Sequence, residues 1–144
     1  MNIGRIILGG IVGGLIINVV EQVVHGILLR ERWDEAMRKV TEQAAGMQAT
    51  ILLWIVGFVV GIALAWLYAA IRPRYGAGPK TAIICSIYLW IVSSLLMVVV
   101  LIPWNLWPRD LSIIALVVSL VEYIVAGLLA AGYLYREQAP AAAS

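Results

Sequence analysis

Charged residues are scarce in this sequence: they make up 12% of the 144 residues, whereas 63% are hydrophobic. Soluble domains carry about 25% charged residues, so a globular surface that faces water on all sides is excluded. The formal net charge of +2 does not favour a nucleic-acid partner, and no basic cluster with interleaved aromatic residues is present. The sequence therefore predicts a single membrane domain over residues 1–136, with the lipid bilayer as its partner.

Cysteine and histidine each occur only once. Cys85 cannot form an intramolecular disulfide, and it lies in an apolar segment where we expect it to act as a small hydrophobic side chain. His25 has no second histidine and no Glu-x-x-His pair of the kind that holds two metal ions in helical bundles. No nucleophile motif accompanies His25 either. The sequence thus predicts neither an enzyme nor a bound cofactor.

Long apolar runs, in contrast, are abundant. A helix that crosses a membrane needs about 20 mostly apolar residues. Because backbone groups in hydrocarbon must be paired within the segment, such runs form helices, and the alternation typical of a membrane barrel is absent. We therefore predict an all-α fold, a membrane four-helix bundle. The four predicted helices span residues 3–29, 49–71, 81–102 and 111–135.

The long first connection differs from the short later ones. Its apolar residues Trp33, Met37, Val40 and Ala44 recur at helical spacing among charged residues. This pattern predicts an amphipathic helix over residues 31–45 that lies on the membrane surface. A solvated arm of a helical hairpin is the alternative. The small polar residues of 137–144 predict a flexible tail.

The orientation rests on the basic residues. Four helices place both termini on one side, and the ten lysine and arginine residues divide equally between the two sides. The connection RPRYGAGPK, residues 72–80, contains three basic residues and no acid, whereas acids accompany the basic residues of the first connection. The positive-inside rule then favours cytoplasmic termini.

A polar stripe runs along the first helix. Successive residues turn by about 100°, so Gly10, Gly14, Asn18, Glu21 and His25 fall within roughly 80° of one another. Glycines allow close helix packing, and polar groups in lipid face the bundle interior. Both rules select this stripe as the buried face.

The fourth helix carries a similar stripe, with Ser119, Glu122 and Ala126, and the second helix contributes the step Gly57 to Gly61. At 1.5 Å per residue, Glu21 lies roughly 13 Å from the interface at Arg30, and Glu122 roughly 18 Å from the same interface. Both acids are therefore expected near the middle of the bilayer. The predicted functional cluster is Asn18, Glu21, His25 and Glu122. The predicted packing residues are Gly10, Gly14, Gly57, Gly61, Ser119 and Ala126.

Two interpretations of the acids stay open. A charge at the bilayer centre costs about 2.5–3.5 kcal/mol, and a carboxyl group lowers that cost by binding or sharing a proton. This chemistry suits a proton- or cation-coupled small-molecule transporter. It equally suits hydrogen-bonded latches between helices in an accessory or structural subunit of a larger complex. Glu21, His25 and Glu122 are the candidate ligands for a divalent ion, but their spacing predicts no metal site.

Two stretches carry a resemblance: WLYAAIRPRYGAGPKTAI at residues 66–83 and LVEYIVAGLLAAGYLYRE at residues 120–137. They resemble a group of small bacterial four-helix membrane proteins known mostly as hypothetical proteins. The resemblance covers nearly the whole chain. It implies the bacterial inner membrane and supplies no activity.

Small multidrug-resistance transporters are similar in architecture. They also have four helices and a glutamate in the first, they work as dimers, and they exchange protons at that glutamate. Only Glu21 would correspond in this chain. The long first connection, the additional Glu122 and the PWNLWP loop depart from that family, so the likeness is one of architecture. It implies a homodimer as one arrangement.

Overall fold

The computed structural model describes residues 2–41 and 46–134, and these residues form five helices. Four of the helices are long and apolar enough to cross a membrane. The predicted all-α membrane four-helix bundle is therefore confirmed, and the chain is a multi-pass membrane protein. The helices are α1 (Ile3–Leu28), α2 (Arg30–Arg38), α3 (Met47–Tyr75), α4 (Pro79–Trp104) and α5 (Arg109–Ala126, continued by a π-helical segment, Gly127–Leu134).

The connection between α3 and α4 is shorter than the sequence predicts. Helix α3 continues past Pro73 to Tyr75 and ends at Gly76, whose φ of 85° suits a glycine that terminates a helix. Pro79 then occupies the first turn of α4, where its missing N–H is not needed. The backbone N–H of Gly78 donates a hydrogen bond to the buried Tyr68 hydroxyl at 2.9 Å, so α3 itself holds the connection in place.

Helices α1 and α3 cross through their backbones. A Cβ atom added at Gly61 would fall on the backbone of Gly10 and Gly14, and one added at Gly10 would lie 2.6 Å from the Cα of Ile62. Such a close approach is possible only between small residues. The predicted packing residues Gly10, Gly14, Gly57 and Gly61 all lie at this crossing. Ser119 and Ala126 are buried on α5.

The bundle is packed in one half and open in the other. The core surrounds Leu64, Tyr68, Ala82 and Cys85, near the connection between α3 and α4. By contrast, none of residues 47–56 and 91–104, all of which the structure describes, is buried. We call these two stretches the open half.

The sequence of α3 explains this division. Its small residues recur every four positions, at Gly57, Gly61, Ala65 and Ala69, and all four are buried. One step earlier the same face presents Leu53, which is exposed. Because close packing of membrane helices depends on small residues, the packed half ends where this series ends.

Helix α2 lies at the open end of the bundle. Trp33 contacts Trp107 edge to face, with ring centroids 5.6 Å apart, and Arg32 forms an ion pair with Asp110 at the start of α5. Of the predicted apolar face, Trp33 and Met37 are partly buried and Val40 is exposed, while the neighbouring Ala36 is buried. The helix itself ends at Arg38. Residues 42–45 of the predicted surface helix and the predicted tail 137–144 lie outside the described residues.

Candidate functional site

Asn18 belongs to the crossing of α1 and α3. Its side chain is buried, and Nδ2 donates a hydrogen bond of 3.0 Å to the backbone oxygen of Trp54. A Cβ atom added at Gly57 would fall on the Asn18 side chain. Asn18 therefore joins two helices through a satisfied hydrogen bond, on the side of α1 that faces α3.

The Asn18 hydrogen bond gives a stability prediction. Asn18→Ala removes one hydrogen bond between helices, and such bonds in membrane proteins average about 0.6 kcal/mol with a maximum near 1.7 kcal/mol. We expect a loss of free energy of unfolding within that range, measured by detergent-induced unfolding in mixed micelles. Gln22→Ala is the control, because Gln22 is exposed on the same helix. An equal loss in both variants would contradict the assigned role of Asn18.

Glu122 is the most deeply placed acid of the described residues. Its side chain is only 2% exposed, and its carboxyl group lies within hydrogen-bonding reach of the Glu21 carboxyl. Among the described residues, the Oε2 atom of Glu122 has no hydrogen-bond partner. Ionised carboxylates only accept hydrogen bonds, so the two acids can bond to each other only when one of them carries a proton. Contact between the two carboxyl groups is therefore favourable only when they share a proton or when a cation lies between them.

Glu21 is less enclosed than the stripe on α1 predicts. Its side chain is 45% exposed, so Glu21 is only partly buried, whereas the sequence places it in a buried polar cluster. The cause is its position: Asn18 is the last buried residue of α1, and Glu21 lies one turn beyond it. Glu21 thus lies at the boundary between the packed half and the open half, and it contacts the buried Glu122.

His25 follows Glu21 by one turn and is 13% exposed. Its Nε2 atom lies 3.9 Å from the Glu21 carboxylate, and its Nδ1 atom accepts a hydrogen bond of 2.9 Å from the Trp33 indole N–H. The structure therefore connects Glu122, Glu21 and His25 in a line toward α2. Asn18, the fourth predicted member of the cluster, points to a different helix.

Hydroxyl groups lie beside the two acids. Ser93 donates a hydrogen bond to the Leu89 backbone oxygen, and the Tyr123 hydroxyl lies 3.2 Å from Ser93 Oγ, to which it can donate. The Trp90 indole N–H donates to Ser119 Oγ at 3.0 Å. Tyr123 is not among the site residues that the sequence predicts. The signal that could have identified it is its position next to Glu122 in an apolar helix.

Three segments of the described residues wind as π-helices, and one of them carries His25. They are Val24–Leu28, which contains His25, Ile91–Leu95, which contains Ser93, and Gly127–Leu134. Wide turns of this kind are frequent at functional sites, because the extra residue redirects side chains and frees backbone groups. Hydrophobic periodicity alone does not reveal them.

A metal centre receives no support from the geometry. Among the described residues, no three His, Cys, Asp or Glu side chains lie together as metal ligands would. Glu21, His25 and Glu122 form a line, in which His25 is 3.9 Å from Glu21 and bonded to Trp33 on its other nitrogen.

Comparison with known proteins places the chain in a family. A search of the curated proteins found no match, and neither did a search of the solved structures. One family model, described as "Protein of unknown function (DUF1761)", matches residues 8–131, which include most of each membrane helix and the residues from His25 to Glu122. Since the match covers most of the sequence, the chain belongs to this family, which has no assigned function.

Proposed function

We propose that this protein is a small transporter that couples the movement of a small solute to protons or cations, with Glu21 and Glu122 as the coupling site. The observation that carries the proposal is the Oε2 atom of Glu122, which is buried and has no hydrogen-bond partner among the described residues. A second carboxyl group, that of Glu21, faces it.

The chemistry of the pair supports coupling. A buried carboxylate without a partner is unfavourable, and a bound proton or cation removes the penalty. Two acids in contact cannot both be ionised cheaply, so binding of a cation to the pair displaces a shared proton. Such competition for one site is the minimal requirement for exchange of a proton against a positively charged solute.

The position of the pair supports access from one side. Glu122 follows Asp110 by twelve residues, which places it roughly 18 Å along α5, and the bilayer core is about 30 Å thick. The open half lies between the α2 end of the bundle and this depth, and the packed half lies on the far side of it. The pair therefore lies near the middle of the bilayer, where the open half meets the packed half, and the Glu21 side chain is partly exposed there.

The test is proton movement in vesicles. The wild type is reconstituted into vesicles that contain a pH-sensitive dye, and outward gradients of Na⁺, K⁺ or ethylammonium are imposed one at a time. We expect at least one gradient to change the internal pH in the wild type. Glu122→Gln and Glu21→Gln should abolish the change in internal pH, because the amide of glutamine does not bind or release a proton as a carboxyl group does.

The control variant is Gln22→Ala, which alters the exposed neighbour of Glu21 and should retain proton movement. Titration of the purified proteins provides a second measurement, in which the wild type releases a proton that both glutamine variants lack. The proposal fails if wild-type vesicles behave like protein-free vesicles with every cation and no titration difference is found.

A second candidate is a non-catalytic accessory or structural subunit, in which the polar residues act as latches. The exposure of helix α4 supports this candidate. Only 11% of its most apolar stretch is buried, and the remaining surface is available to pack against a larger membrane protein or a second copy. This interpretation expects a stable partner, or a homodimer, to co-purify after mild detergent extraction of native membranes. Recovery of the monomer alone would contradict it.

The proposed location is the bacterial inner membrane with both termini in the cytoplasm. The basic connection of residues 72–80 supports this orientation, because basic loops favour the cytoplasmic side. Replacing Cys85 with alanine and introducing a cysteine at Lys80 or at Lys39 gives the test. The Lys80 position should be labelled by a membrane-impermeant thiol reagent only after the cells are opened, and the Lys39 position in intact spheroplasts.

A further inference from the structure

The contact between Trp33 and His25 joins the end of α1 to helix α2. His25 lies in the π-helical segment at the end of α1, and Trp33 lies on the surface helix α2. The indole N–H donates to Nδ1 at 2.9 Å, and the two rings meet edge to face with centroids 5.6 Å apart. Trp33 also contacts Trp107 edge to face at the same centroid distance.

This hydrogen bond determines which nitrogen of His25 carries the hydrogen. The indole nitrogen of tryptophan only donates, so Nδ1 must present its lone pair. In the neutral imidazole the hydrogen then resides on Nε2. Nε2 is the atom that faces Glu21, at 3.9 Å. The tautomer that Trp33 selects is therefore the one that directs an N–H group toward the carboxyl pair.

We propose that Trp33 is a positioning residue that holds His25 in the Nε2–H tautomer, and that His25 passes protons between water at the α2 end and the Glu21–Glu122 pair. The inference rests on the proposed function, because the carboxyl pair is its destination. The charged group that faces His25 is Glu21 on α1, while α2 presents the uncharged Trp33, since Arg32 is paired with Asp110.

Each cycle of the relay delivers one proton to Glu21. A proton from water binds Nδ1 when the Trp33 indole swings away, and the ring becomes an imidazolium. The Nε2–H bond then breaks and its proton forms an O–H bond with the Glu21 carboxylate, which leaves a neutral ring with hydrogen on Nδ1. Nε2 then takes a proton from water on the exposed side of Glu21, and Nδ1 releases its hydrogen to water at the α2 end. One proton joins the ring and one leaves it, and the returning Trp33 hydrogen bond restores the starting tautomer.

Transfer over 3.9 Å requires a small movement, and Glu21 can supply it. Its side chain is 45% exposed and thus has room to rotate toward His25. In the position that the structure shows, it also contacts Glu122, which is buried. Glu21 can therefore receive a proton from His25 and present it to Glu122.

The experiment uses the single histidine of the chain. Purified protein without a histidine tag is labelled with ¹³C,¹⁵N-histidine, and the nitrogen chemical shifts report the tautomer of His25 directly. We expect the Nε2–H tautomer in the wild type and a mixture of both tautomers in Trp33→Phe. Trp104→Phe is the matched control, because Trp104 is exposed at the same end of the bundle, and it should keep the wild-type spectrum.

Two spectra would overturn the assignment: an Nδ1–H tautomer in the wild type, or a Trp33→Phe spectrum identical to that of the wild type. Helical content and the unfolding midpoint of Trp33→Phe are measured alongside. If Trp33→Phe loses its helical content, Trp33→Tyr replaces it, with the same expectation.

The relay is tested separately by the vesicle assay. Trp33→Phe should slow proton movement about tenfold, which is less than the roughly 10²–10⁴-fold contribution of a positioned acid–base group because His25 itself remains, and Glu122→Gln should abolish it. If the wild type moves protons and Trp33→Phe is equally fast, the relay is wrong and the proposed function stands. If the wild type moves no protons, the proposed function and the relay are both contradicted, whichever tautomer of His25 the spectra show.

Discussion

Replacing Gly61 with alanine is expected to lower the free energy of unfolding by about 2–3 kcal/mol, as overpacking of a tight contact does. The added Cβ would fall on the Gly14 nitrogen and the Gly10 carbonyl oxygen, and it would lie 2.7 Å from the Gly14 Cα. These are backbone atoms, so no side chain can rotate away. Relief requires α1 and α3 to separate along the whole crossing, and valine at the same position should be worse.

Gly4→Ala is the control for Gly61→Ala. At Gly4 the nearest atom to an added Cβ is the Asn2 Oδ1 at 3.5 Å, an ordinary contact. Alanine is the better helix former by up to about 1 kcal/mol, so this variant should be as stable as the wild type or slightly more stable. Unfolding in mixed micelles gives both values. Equal stability of Gly61→Ala and the wild type would show that α1 and α3 do not meet through their backbones.

Glu122→Met is expected to raise the free energy of unfolding by about 1–2 kcal/mol while abolishing proton movement. A buried polar atom without a partner costs about 1–3 kcal/mol, and an apolar side chain of similar size removes that cost. Oε2 of Glu122 is such an atom. Glu21, left without its neighbour, keeps its own exposed position and adds no new buried charge. A stabilised but inactive variant would mark Glu122 as a residue retained for function.

Ser119→Ala provides the opposite case on the same helix. Ser119 lies one turn before Glu122 and accepts a hydrogen bond from the Trp90 indole. Its removal leaves that N–H with only the Leu116 oxygen, so a loss of about 0.5–1.5 kcal/mol is expected. If Glu122→Met lowers the free energy of unfolding as Ser119→Ala does, the acid pair is a latch between α1 and α5. That result would support the accessory-subunit interpretation and contradict the transporter interpretation.

Helix number, and the depth of the acids, follow from the sequence alone. Four apolar runs of the required length admit only four membrane helices, because unpaired backbone groups are not tolerated in hydrocarbon. The rise per residue then puts Glu21 and Glu122 at similar depth, and the structure brings them together. Glycines at steps of four likewise identify the face of α1 that packs.

Only the tertiary structure decides which neighbour each residue on that face meets. Asn18 and Glu21 differ by about 60° around α1, too little for periodicity to separate, yet one bonds to α3 and the other faces α5. Periodicity also cannot show that packing stops at Leu53, which leaves Glu21 exposed, or that α2 returns to place Trp33 on His25. A helical pattern fixes a direction around one axis, whereas the partner in that direction depends on how the other helices and connections pack.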